Sequence, residues 1–161
     1  MQEHNESKPH GSHGNAYSLF LINMLAGLAI MYAAMFTMID SWTDYRNNLN
    51  MFYMALTMWA PMGLLMLVTM PSMFRNRTAN LSLATLFVLL TLGSFMATRS
   101  QALIGDRQFI ASMIPHHSGA ILMCNKTELR DAELLALCRS IASDQRAEID
   151  KMKSISDRLE K

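Results

Sequence analysis

Phe109-Ile110-Ala111-Ser112-Met113-Ile114-Pro115-His116-His117-Ser118-Gly119-Ala120-Ile121-Leu122-Met123-Cys124 joins two adjacent histidines to two methionines and a cysteine within one helix-length run. At about 100° per residue, with Met113 as zero, His116 lies near −60°, His117 near +40° and Cys124 near +20°. Met123 lies at the edge of this face, near about −80°. Four soft or borderline donors thus share one side of the predicted helix. Thioether, thiolate and imidazole together suit Cu(I), whereas a harder ion would call for carboxylates. Met and Cys by themselves are ordinary fillers of a buried helix face. Two imidazoles on an otherwise apolar face need polar partners, and they turn the reading toward metal.

Working outward, Asp106 is the expected N-cap of this helix and Pro115 should bend it, freeing the Ala111 carbonyl. Residues 125–130 read as a connection. Asp131 then caps a long helix running to about Leu159. Asp131, Cys138, Gln145 and Met152 recur every seven residues along it, with Ile141 and Glu148 beside them. Seven-residue spacing after a short connection predicts an antiparallel hairpin. If the chain reverses near residue 128, Met113 lies level with Gln145, His117 near Cys138 and Asp106 near Met152. That register brings Cys138 and Met152 to the donor face. It also leaves Cys138 about 9 Å beyond the partner of Cys124, too far for a disulfide. Two cysteines could form one disulfide in an oxidising compartment or act as thiolates elsewhere, and this register disfavours the disulfide. Residues 101–161 hold nine Lys/Arg and nine Asp/Glu, a soluble character.

Upstream the composition changes. The chain has 161 residues and a net charge of +1, so nothing in its charge points to nucleic acid. Residues 1–15 are a polar tail, read as disordered, with His4, His10 and His13 as weak chelators at most. Residues 16–99 read as a membrane domain with spans at about 17–39, 51–70 and 81–98. The first is retained rather than a cleaved leader, since no basic region precedes it and Met38-Ile39-Asp40-Ser41 offers no cleavage site. Asn23 in that span is expected to face another helix, and Gly93 with Ala97 to allow close contact in the third. Pro61 is tolerated in the second span.

Methionine is the anomaly, at sixteen residues. Met51, Met54, Met58, Met62, Met66, Met70 and Met73 fall within an arc of about 160° on the second span. Met24, Met31, Met35 and Met38 form a narrower stripe on the first, within about 60°. Facing thioether stripes would hold Cu(I) within the membrane, and packing is the competing account. Loop 71–80 carries Arg75 and Arg77 with no acid, against Arg46 alone in loop 40–50. Basic residues favour the cytoplasmic side, so residues 100–161 are expected outside the cytoplasm.

The C-terminal third resembles the bacterial ferritin-like family catalogued as domain of unknown function 305. The resemblance runs over about residues 103–159. It is carried by Asp106-Arg-Gln-Phe109, Met113-Ile-Pro-His116-His117, Gly119-Ala120-Ile121 and Met123, then Leu135, Ile141, Gln145, Glu148-Ile149 and Met152. It implies an exported helical bundle that binds copper and serves copper resistance. It further implies Met113, His116, His117, Met123 and Met152 as ligands, with Gln145 and Glu148 supporting them, and Asp106 is expected beside them in the same supporting role. The connection between the helices is shorter than the family's, and three spans stand where a signal peptide or second repeat is common.

The expected architecture is all-α: three transmembrane helices, then an extracytoplasmic ferritin-like hairpin completed in a homo-oligomer. The expected function is copper homeostasis at a bacterial inner membrane, with Cu(I) as the metal and a copper chaperone or exporter as a further partner beside lipid. The alternatives are an oligomeric Met-lined copper channel and a metal-free membrane interaction protein. A di-metal oxidase would need Glu-x-x-His pairs, and none occurs, so no enzyme is expected.

Overall fold

The computed structural model describes residues 13–160. Five α-helices follow one another: α1 (His13–Ala34), α2 (Leu49–Thr69), α3 (Arg77–Ser100), α4 (Asp106–Lys126) and α5 (Ala132–Leu159). Two 3-10 turns, Met35–Met38 and Trp42–Asp44, lie between α1 and α2. The described residues contain no strand. The polar tail with His4 and His10, and the side chain of His13, lie outside the described residues.

Three helices are long and apolar enough to cross a membrane: Ala16–Met38, Leu49–Thr69 and Arg77–Ser100. A hydrocarbon core needs about 20 helical residues, which each supplies. The second and third begin earlier than their apolar runs because asparagines cap them. Asn48 accepts from the Met51 N–H and Asn76 from the Ala79 N–H.

Aromatic side chains hold these helices together. Phe20 and Met24 of α1, Trp59, Ala60 and Leu67 of α2, Phe74 of the second loop and Phe87 of α3 form one buried cluster. Trp59 Nε1 donates to the Met24 carbonyl at 2.6 Å, and Thr57 and Ser94 hydroxyls meet at 2.9 Å. Close approach depends on Gly63: a Cβ there would sit 2.5 Å from the Phe87 ring. Gly93, expected in that role, meets nothing within 4 Å. The expectation of facing methionine stripes also needs correction within one chain. Aromatic side chains fill the contact, so Met54, Met58 and Met62 of α2, and Met70 just after it, turn outward, with about half their surface exposed. Met66, Met31 and Met35 are half-buried, Met38 is exposed, and Asn23 is exposed rather than against a neighbouring helix.

Helices α4 and α5 form the predicted hairpin around Ile110, Ile114, Ile121 and Ile149, with Met152, Ile155 and Leu159 packed against them. Arg107 of α4 also donates to the Leu159 carbonyl near the end of α5. The hairpin docks on the α1–α2 loop. Gly119 permits it, since a Cβ there would lie 3.2 Å from the Met38 carbonyl oxygen. An ion cluster then fastens it. Asp44 is fully buried and accepts from Ser118 Oγ at 2.8 Å, Lys153 Nζ at 2.7 Å and Arg146 Nη1 at 3.2 Å. Arg146 Nη2 also reaches Asp40 at 2.8 Å, and the Asp40 N–H donates to Ser118 Oγ at 2.8 Å. Burial pushes the Asp44 carboxyl up. The hydrogen bonds from Lys153 and Ser118 and the charges of Lys153 and Arg146 outweigh it and hold the group below the usual carboxylate range.

Candidate metal centre

The hairpin register sets which donors meet, and it differs from the expectation. Helix α4 continues to Lys126, beyond Cys124, and α5 starts only at Ala132. Those bounds centre the connection on residue 129, close to the expected 128, but the two helices pair about residue 131, as Cys124 opposite Cys138 shows, and every partner moves by about six. Cys124 and Cys138 face each other with Cα atoms 5.3 Å apart and are joined by a disulfide. The expected separation was wrong for that reason. A thiolate is the metal-binding form of cysteine, so in this bonded state both cysteines leave the ligand set.

The same shift gives His117 a different neighbour. His117 is buried, and its Nε2 lies 2.9 Å from Glu148 Oε2 on α5, not beside Cys138. Its Nδ1 lies 2.9 Å from the Met113 carbonyl oxygen. A carbonyl only accepts, so Nδ1 carries a hydrogen. Glu148 presents a carboxylate to Nε2 across the hairpin. Both ring nitrogens are thereby engaged, and the His117–Glu148 pair fastens α4 to α5.

His116 points elsewhere. It is exposed, and its ring makes no hydrogen bond among the described residues. One residue on a helix is about 100°, enough to send the two histidines to different surfaces. His116 and Met113 line a cavity of about 250 Å³ between α4 and the start of α2, which they share with Met51 and Met54. The wall includes Asn50, whose amide nitrogen donates to Gln101 Oε1 at 3.0 Å and Ser112 Oγ at 3.2 Å. Its buried Oδ1 has no hydrogen-bond partner among the described residues.

The remaining expected residues are dispersed. Met123 is half exposed, one residue from the disulfide. Met152 packs in the apolar seam between α4 and α5, and Gln145 is half-buried on α5. Asp106 is not the N-cap: Gly105 holds that position, and Asp106 sits exposed in the first turn, where its charge favours the helix dipole. The described residues contain no group of three His, Cys, Asp or Glu able to hold a metal ion. A metal at the cavity would instead meet three thioethers and one imidazole, set among amide and hydroxyl groups such as those of Asn50 and Ser112. Thioethers and imidazole are soft or borderline donors, and these four suit Cu(I) better than a hard cation. Sequence reasoning found all four of these side chains but put Met51 and Met54 in a separate membrane stripe. It missed the Asp44 cluster, whose only local signal is an acid in a short loop between two apolar spans.

Comparison with known proteins agrees with this division of the chain. The model of the family described as domain of unknown function (DUF305) matches residues 95–156, which take in the end of α3, all of α4 and most of α5. Over 146 residues the chain is 33% identical to the "Uncharacterized protein L153" of Acanthamoeba polyphaga mimivirus, covering 87% of this chain and 92% of that protein. The likeness to the viral protein thus extends across the membrane helices. No solved structure matches the chain.

Proposed function

We propose that this chain, which belongs to the DUF305 family, is a membrane-anchored copper-binding protein that serves copper homeostasis or resistance by holding Cu(I) on methionine and histidine donors. The observation that carries this reading is the pair Met113 and His116, one helical turn apart on α4, both lining one cavity. The His116 ring makes no hydrogen bond among the described residues. Thioether and neutral imidazole need no deprotonation to bind Cu(I), so the pair works without a change of charge. The role is binding rather than catalysis. The hairpin stands on the extracytoplasmic side of a bacterial inner membrane, a reading supported by the Cys124–Cys138 bond, since disulfides persist in oxidising compartments. It forms a ferritin-like bundle with a second copy of the chain. A copper chaperone or exporter exchanges metal with it.

The outward methionines of α2 favour a second reading. Met54, Met58 and Met62 form a continuous thioether surface, and copies meeting along it would build a Met-lined copper path.

The test of the main reading is anaerobic Cu(I) titration of the full chain in detergent against a chromophoric chelator. Met113→Leu with His116→Ala should weaken binding at least tenfold, about 1.4 kcal/mol. Unchanged affinity in that variant removes the assignment.

A further inference from the structure

We infer that the Cu(I) site is shared between the membrane domain and the hairpin, with Met51 and Met54 of α2 completing a four-donor set begun by Met113 and His116 of α4. The inference rests on the copper reading above and goes beyond it by placing half of the ligands on a transmembrane helix.

Three observations lead to it. First, the four side chains line one cavity of about 250 Å³, although they come from segments some sixty residues apart. Second, the other donors near Met113 and His116 are committed, and Met123 lies about two helical turns beyond His116, beside the disulfide. The cysteines are in a disulfide, the His117 nitrogens face Glu148 and Met113 O, and Met152 packs in the apolar seam. An ion at Met113 and His116 finds its remaining soft donors on α2 and not on α5. Third, the cavity wall is held by a polar tie between domains. Asn50 of α2 bonds Gln101 at the end of α3 and Ser112 of α4, and it still has an unsatisfied buried oxygen. The Leu49 N–H donates to Gln108 Oε1 of α4 at 2.9 Å, a second tie one turn from the cavity. Docking of the hairpin and assembly of the site are then one event.

The position also connects the site to the stripe. Met54 lines a second, smaller cavity with Met58, so a thioether of the site is also the first thioether of the path along α2. Cu(I) exchanges between neutral thioethers without a proton changing hands.

The experiment uses the full chain in detergent, with Cu(I) alone as the probe under anaerobic conditions. Affinity is measured for Met51→Leu with Met54→Leu, for Met113→Leu with His116→Ala, and for Met70→Leu at the far end of the stripe. Leu keeps the volume of Met, so the fold should survive, and a thermal melt checks it. The expected result is a loss of at least tenfold for each double variant and none for Met70→Leu. A loss confined to Met113→Leu with His116→Ala overturns the shared site and leaves the copper reading standing. No loss in either, or no binding by the unmodified chain, overturns both. X-ray absorption on the unmodified copper-loaded chain decides the matter without variants. Three sulfur ligands with one nitrogen are expected. A coordination shell of nitrogen and oxygen alone, or with a single sulfur, overturns the shared site.

Discussion

Asp44 shows how one residue couples two domains. Its carboxylate is fully buried, yet it touches one hydroxyl and two cations from elements 74 to 109 positions away. Removing one partner of a buried pair leaves the others desolvated and uncompensated. Lys153 and Arg146 keep some contact with water, which softens the loss, so Asp44→Ala should cost about 2 kcal/mol of hairpin docking. Limited proteolysis and hydrogen exchange across α4 and α5 would report it. Protection equal to that of the unmodified chain would reduce the cluster to a surface decoration. The pH dependence has a definite sign. The folded carboxyl lies below its unfolded value of about 3.9, so its stabilisation is present above that value. It is lost as pH falls through the lower folded pKa. Docking should therefore hold through mildly acidic conditions and fail only below about pH 4.

At the scale of elements, the α4–α5 hairpin has three ties along its length: the disulfide near the turn, His117 with Glu148, and Arg107 with the Leu159 carbonyl. The first spans 14 positions, and a covalent loop of that size restrains the unfolded chain by about 3 kcal/mol. Replacing Cys124 and Cys138 together by Ser should lower hairpin stability by that order while leaving Cu(I) affinity unchanged. Thiol alkylation of the chain in its own membrane reports the compartment as well. Both cysteines should stay unlabelled until a reductant is added. Ready labelling in untreated cells would put the hairpin on the reducing side and reverse the topology.

For the whole molecule, the unresolved balance is at the membrane surface. Three helices bury an aromatic interior but leave Met54, Met58, Met62 and Asn23 outside it. Lipid gives no reason to prefer Met over Leu or to accept an Asn side chain. A second copy of the chain covers these positions in the arrangement we propose. Cysteine introduced at Met62 should cross-link between copies under mild oxidation. Cysteine at Val68, an exposed position about 120° round the helix, should not. Cross-linking at Val68 with none at Met62 would turn the stripe toward lipid and favour packing as its origin.

Much of this molecule follows from sequence that acts locally. Apolar runs of membrane-spanning length, the asparagine and aspartate caps, and the recurrence of Cys138, Gln145 and Met152 specify five helices and a hairpin. Helix length and periodicity depend on neighbours within a few residues. Met113 and His116 were likewise visible as donors, because one helical turn brings them together. What only the tertiary structure decided depends on distances that local pattern does not encode. The way the two helix faces interlock set the pairing about residue 131 rather than 128, which joined Cys124 to Cys138 and gave His117 to Glu148. Aromatic packing among Phe20, Trp59 and Phe87 turned the methionine stripe outward. Docking on Asp44 brought Met51 and Met54 to Met113 and His116, because a buried carboxylate is stable only where cations from distant segments converge on it.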